Sequence, residues 1–214
     1  MLRAIRVIFI LAFAVSATAV FAQEDFSADV VNNRDGKTEP SAKMFVTKDK
    51  MRIESQDKNP RSGGGAVIVN LTTQTNTILM PERKMYMEFP QGQGPAGQRT
   101  MNFWRARDID NACEGWLQLA TNKGGTCKNL GSETVNGRST VKYEGTNSKG
   151  ETGDVWIDKK IAFPIKWQNK NGEGGLQNIQ EGSQPSSLFE VPSDYQKFQM
   201  PAGMPGMPGM PSPH

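Results

Sequence analysis

His214, the last residue, is the only histidine in the chain. A Ser-His-Asp triad, a Cys-His dyad and a multi-histidine zinc site each need imidazoles among the packed residues, so none is expected inside this fold. Paired carboxylates occur, Asp154 with Asp158 and Asp108 with Asp110. Glycosidic cleavage needs two carboxyls facing one bond at a set separation. Spacing along a strand does not supply that, and at strand ends such residues are expected to be solvated. Gly63 to Gly65 lacks the Lys-Ser/Thr that a phosphate cradle requires. Asn33-Arg34-Asp35-Gly36 reads as a turn, not a calcium loop. Asn70-Leu71-Thr72 has the form of a glycosylation acceptor. No reaction is declared by any of these, and neither catalysis nor a cofactor is expected. The soft donors are more suggestive. Met200, Met204, Met207, Met210 and His214 offer four thioethers and an imidazole in the last fifteen residues. Thioethers select Cu(I), so copper capture stands as one reading of this tail and a low-complexity spacer as the other.

Residues 1–22 read as a secretory signal peptide. Arg3 and Arg6 open it, Val7 to Val15 is unbroken apolar sequence, and Val20-Phe21-Ala22 ends it with short side chains at the cleavage positions. The apolar stretch is shorter than the roughly 20 residues a bilayer span needs. An exported chain is expected, starting at Gln23 and residing in an oxidising compartment such as the periplasm. Cys113 and Cys127 are then most simply a disulfide, since they are not a Cys-x-x-Cys redox pair. Closing a loop of about 15 residues contributes roughly 3 kcal/mol in the chain-entropy model. Formal charge is +3 over the whole chain, and less without the two leader arginines. That near-balance excludes a basic nucleic-acid footprint.

From Phe26 to Ile179 the governing signal is alternation with period two, the mark of half-buried strands. Phe26–Val30, Met44–Val46, Met51–Glu54, Ala66–Leu71, Thr77–Met80, Lys84–Phe89, Thr134–Val135, Ser139–Glu144, Asp154–Asp158, Ile165–Trp167 and Leu176–Ile179 are the strand segments, about ten strands in all. Asp35-Gly36, Pro81-Glu82-Arg83, Asn136-Gly137 and Asn171-Gly172 are turns between them. Short turns imply antiparallel neighbours. One segment departs: 100–120 is predicted helical, with Asp110 or Asn111 as cap and Cys113, Trp116, Leu117 and Ala120 on one face. Pro185 opens a single helical turn. Hydrophobic residues are 36% of the chain and roughly 31% once the leader is removed, lean for a globular domain. That suits one curved antiparallel sheet with a wet face and a helix over the other.

Three stretches carry a resemblance. They are Leu130 to Gly137 running into Val141-Lys142-Tyr143-Glu144, then Val155-Trp156-Ile157-Asp158 followed by Phe163-Pro164-Ile165-Lys166, then Asn178 to Tyr195 with its Phe189-Glu190-Val191-Pro192 core. The chain resembles a family of small bacterial exported proteins of unassigned function grouped with the lipoprotein-carrier (LolA-like) superfamily. The likeness covers nearly all of 26–199; the Met44–Glu54 hairpin and Met80–Met87 fit the same plan. It implies a half-open antiparallel β-barrel around an apolar cavity with a helical lid, which in lipoprotein carriers shelters acyl chains. Carriers open with a helix, whereas here Phe26 enters a strand, and the Met-Pro-Gly tail is not part of their plan.

The organisation expected is therefore a leader (1–22), a LolA-like half-barrel domain (23–199) and a disordered Met/Pro/Gly-rich tail (200–214). Methionine is flexible and polarizable and suits surfaces that adapt to varied apolar ligands. Met44, Val46, Met51, Ile53, Val67, Val69, Ile78, Met80, Met85, Met87 and Phe89 are the expected lining, with Trp116 and Leu117 approaching from the helix. Met101 opens the helical region. The same residues could instead fill a core. The function expected is non-enzymatic sheltering of a lipid or acyl chain in the envelope, with envelope-protein partners and transient membrane contact. A periplasmic Cu(I)-handling protein and a structural envelope scaffold are the alternatives.

Overall fold

The computed structural model describes residues 24–34, 36–56, 65–91, 105–119 and 123–198. The leader, Gly63 and Gly64, Met101, Ala120 and the tail methionines with His214 lie outside the described residues. Two antiparallel meanders make the sheet. The first is β1 (Phe26–Arg34), β2 (Lys37–Val46), β3 (Lys50–Ser55), β4 (Ala66–Asn70), β5 (Thr75–Met80) and β6 (Met85–Pro90). The second is β7 (Thr126–Val135), β8 (Arg138–Thr146), β9 (Thr152–Asp158), β10 (Pro164–Asn169) and β11 (Gly172–Glu181). They are fused edge to edge by antiparallel pairing of β1 with β11, from Phe26↔Glu181 to Asn33↔Glu173. A two-residue β12 (Gln196–Lys197) adds in parallel to β6. The result is one open sheet of 12 strands, in the order β12-β6-β5-β4-β3-β2-β1-β11-β10-β9-β8-β7. Helix α1 (Ala112–Leu117) lies between the two meanders in sequence.

The turns form for local reasons. Asn136 and Gly137 have φ of 50° and 77°, the left-handed pair that closes a two-residue hairpin with the twist of its strands. The helix is shorter than its sequence pattern. Residues 105–109 are not helical, because other groups claim this backbone. Ala106 N–H donates to the Ala162 carbonyl at 3.0 Å, and Asp110 N–H to the Asp108 carboxylate at 3.0 Å. Asn111 precedes the first helical turn without a side-chain capping bond. Pro185 stands just before a 3-10 turn at Ser186–Phe189. Cys127 lies inside the ten-residue β7, of which the sequence pattern marks only Thr134–Val135; β7 alternates weakly because it is the exposed edge of the sheet.

Asp158, expected to be solvated, is 1% exposed. Its Oδ1 accepts N–H bonds from Lys160 (2.8 Å) and Ile161 (2.9 Å), and its Oδ2 takes Arg138 Nε at 2.5 Å. This carboxylate therefore ties the turn after β9, which folds Ile161 and Phe163 back over the sheet. Arg138 also donates to Glu181 Oε1 at 2.7 Å, and Lys160 bonds the other Glu181 oxygen. Lys160 first, with Arg138 beside it, holds the Glu181 carboxyl down at about 2 against an ordinary 4.5, and partial burial opposes them. A carboxyl lowered in the folded state stabilises the fold above its unfolded pKa and loses that contribution as pH falls through the folded one. Acid unfolding of Glu181→Gln should therefore show a shallower dependence than wild type between pH 4.5 and 2; identical pH profiles would disprove the linkage.

Candidate functional site

Partners in the strand register share a face, and the inner face, the one bearing α1, can be followed across the first meander. One row runs Phe26–Val46–Met51–Val69–Asn76–Phe89 and the next Ala28–Met44–Ile53–Val67–Ile78–Met87, with Met80 opposite Met85. All eleven strand residues proposed as lining thus lie on one face. They divide into two groups. Met44, Val46, Met51, Ile53 and Val69 are buried, and Val67 packs beside them, in one cluster with Phe26, Leu176, Ile161, Phe163 and Ile165. The Phe26 and Phe163 rings meet edge to face with centroids 5.3 Å apart. The middle of the inner face is therefore filled by the protein's own side chains. Ile78, Met80, Met85, Met87 and Phe89, toward the β6 edge, are only half-buried. Asn76 sits among them, 3% exposed, with a carbonyl oxygen that has no hydrogen-bond partner among the described residues. The outer face of β4 and β5 is covered separately, by Phe189 against Ala66, Ile68 and Leu79.

Open volume lies at the other end of the same face. A half-open cavity of about 310 Å³ lies between α1 and the inner surface of β8, β9 and β10. Its roof is Ala112 and Trp116; its floor is Tyr143, Val155, Ile157 and Trp167. Gly145 and Gly153 face each other across β8 and β9, leaving a stretch of sheet without side chains. This bareness is required. A Cβ on Gly145 would stand 2.8 Å from two ring atoms of Trp116, and one on Gly174 would stand 2.5 Å from the Trp167 indole nitrogen. Both tryptophans lie against glycine. Asn147, Glu151, Lys170 and Asn171 stand in the turns at the mouth. Leu117 is half-buried on α1 and is not among the cavity walls.

Several ties fasten the roof. The Cys113–Cys127 disulfide, with Cα atoms 5.4 Å apart, joins α1 to β7. The Tyr143 hydroxyl donates to the Ile109 carbonyl at 2.6 Å and accepts from Ala112 N–H at 3.3 Å, so the sheet holds the start of the helix. Burial pushes the Tyr143 phenol above its usual pKa. Arg105, 8% exposed, donates to the carbonyls of Ile161, Thr47 and Glu24. Desolvation lowers its pKa. On the other flank of α1 a recess of about 660 Å³ is lined by Lys48, Asp49, Arg105, Arg107 and Asp108 together with Leu71 and Ala112. Replacing Gly145 with Ala should unseat Trp116 and shift its emission to the red with a stability loss of about 1–3 kcal/mol, the cost of overpacking. An unchanged spectrum and midpoint would show that the helix yields freely.

Of these cavity residues the sequence pattern points to Trp116; it does not point to Tyr143, Val155, Ile157, Trp167 or Arg105. Alternation in Val155–Ile157 and Ile165–Trp167 marks one face of each strand. It does not say that this face looks at α1, because that depends on the β1–β11 pairing.

The arrangement is a single open, curved sheet, antiparallel except where β12 joins β6, with a short helix on its inner face. Its fold is similar to that of an uncharacterized conserved protein from Thermus thermophilus, at 11% identity and a TM-score of 0.51, over 83% of this chain and 91% of that one. Two further similar structures are a LolA superfamily protein from Nitrosomonas europaea (9%, TM-score 0.33, 78% and 90% covered) and a putative outer membrane lipoprotein-sorting protein domain from Vibrio parahaemolyticus (12%, 0.35, 78% and 90%). No family model and no curated protein matches the chain. Among the described residues no helix is long and apolar enough to cross a membrane.

Proposed function

We propose that this is an exported, non-enzymatic binding protein of the periplasm that shelters an apolar, lipid-like group under α1, in traffic with envelope proteins and the membrane surface. The observation that supports it best is the cavity of about 310 Å³ with an aromatic and aliphatic roof and floor and a polar mouth. Its size is at the lower end of the roughly 300–1,000 Å³ typical of small-ligand pockets. It suits one segment of an acyl chain, not a whole lipid. Each buried CH₂ contributes about 0.8 kcal/mol, so eight would supply about 6 kcal/mol before the cost of ordering the chain is subtracted. The half-buried methionines toward β6 extend the same apolar face and are the second place where such a group could rest. The sequence resemblance to lipoprotein carriers agrees with this reading.

Native mass spectrometry of the protein purified from its own envelope tests it. Copurified mass in the range of a lipid is expected. A clean apo mass under gentle conditions, together with no response of the tryptophans to octanoate, would overturn the reading.

A further inference from the structure

We propose that the cavity beneath α1 selects an amphiphile whose polar end is uncharged and rich in hydroxyl or amide groups, as in a glycosyl head, in preference to an anionic one. This rests on the reading that the cavity takes an apolar group, and it is carried by the chemistry of the mouth.

The charges at the mouth are already matched. Lys170 Nζ stands 3.2 Å from Glu151 Oε1, while the Asp154 carboxylate lies on the outer face of β9, paired with Lys142 at 3.0 Å. The Asn147 amide also donates to Glu151 at 2.9 Å, and this bond, with Lys170 beside it, keeps the carboxyl below its ordinary range. A carboxylate or phosphate head arriving here would meet the Glu151 charge and would have to compete with it for Lys170. The carboxamides offer the opposite situation. Asn169 accepts the Asn171 N–H at 2.8 Å through its oxygen, which leaves its NH₂ group to donate. The Asn171 side chain has no hydrogen-bond partner among the described residues, and both side chains are exposed at the mouth. A carboxamide presents donors and an acceptor together. Hydroxyl and acetamido groups match that set, whereas an ionised carboxylate only accepts. Trp167 lies two residues from Asn169 on the same face of β10, seated on Gly174. It places an aromatic surface beside these amides, which suits a ring whose faces are C–H and whose edge is polar.

The test uses the full chain and three probes kept below their micelle concentrations: octyl glucoside, octanoate and glucose. Binding is followed by calorimetry and tryptophan fluorescence. Octyl glucoside should bind about tenfold more tightly than octanoate, the worth of one to two net hydrogen bonds. The double variant Asn169→Ala, Asn171→Ala should abolish that preference through weaker binding of octyl glucoside. Asn169→Ala also removes the Asn171 N–H bond that closes the β10–β11 turn, so the single variant Asn171→Ala is measured beside it: it should weaken the preference with a thermal midpoint near wild type, which separates lost recognition from lost fold. Equal or tighter binding of octanoate overturns the inference, as does a preference that survives in the double variant. Glucose binding as well as octyl glucoside overturns it too, since the apolar end would then contribute nothing. If neither amphiphile binds, the reading of the cavity itself falls.

Discussion

Arg138→Ala is expected to destabilise the protein by about 3–5 kcal/mol, the cost of leaving one member of a buried ion pair without its partner. Asp158 is the member left behind, with a side chain 2% exposed against 23% for Arg138. The two surviving N–H bonds from Lys160 and Ile161 satisfy part of its lone pairs but do not cancel its charge. The damage should spread along a definite route. Asp158 shapes the turn that carries Ile161 and Phe163 into the core, and the Ile161 carbonyl is in turn a partner of Arg105. Urea unfolding measures the loss. Arg138→Lys should lose less, because it keeps the charge and gives up the fork. Combining Arg138→Ala with Asp158→Asn should cost less than the two single changes summed, as coupled neighbours do. A loss under about 1 kcal/mol for Arg138→Ala would mean that water reaches Asp158, a surface-like pair.

Replacing Cys113 and Cys127 by serine should lower stability by roughly 3 kcal/mol, set by the loop the bond closes. The cysteines are 14 apart in sequence. A larger effect is expected on the cavity than on the sheet. The disulfide fastens α1 to an edge strand, whereas β8 to β10 are held by ladders on both sides. Amide exchange should therefore accelerate most at 112–117 and along β7, and octanoate affinity should fall further than stability alone explains. Uniform acceleration across the sheet, with affinity unchanged, would assign the bond to global stability and remove it from the site.

Much of the fold was legible because strands announce themselves locally. Met85-Tyr86-Met87-Glu88-Phe89 alternates in side-chain character, and the register puts Met85, Met87 and Phe89 on one face. Asn136-Gly137 names its own hairpin through positive φ. Three features were less legible. β7 carries mostly exposed residues and so shows little alternation beyond its last two positions. β12 is two residues long and forms only because the C-terminal segment is held over the outer face by Phe189. The pattern over 100–120 favours helix throughout, yet Arg105 and Ala106 are bound by carbonyls more than fifty residues away in sequence.

By itself the sequence determined that an antiparallel sheet forms, where its turns fall, that no histidine chemistry occurs within it, and that its two cysteines are available to each other. Each of these depends on side-chain type and nearest neighbours. Only the tertiary structure decided that the two meanders join through β1 and β11, that Ile161 and Phe163 fill the middle of the inner face, and that room remains under Trp116. Alternation tells a strand which of its faces is apolar. What meets that face, another side chain or a vacant volume, is settled by contacts between residues far apart in the chain, whose energies no local pattern records.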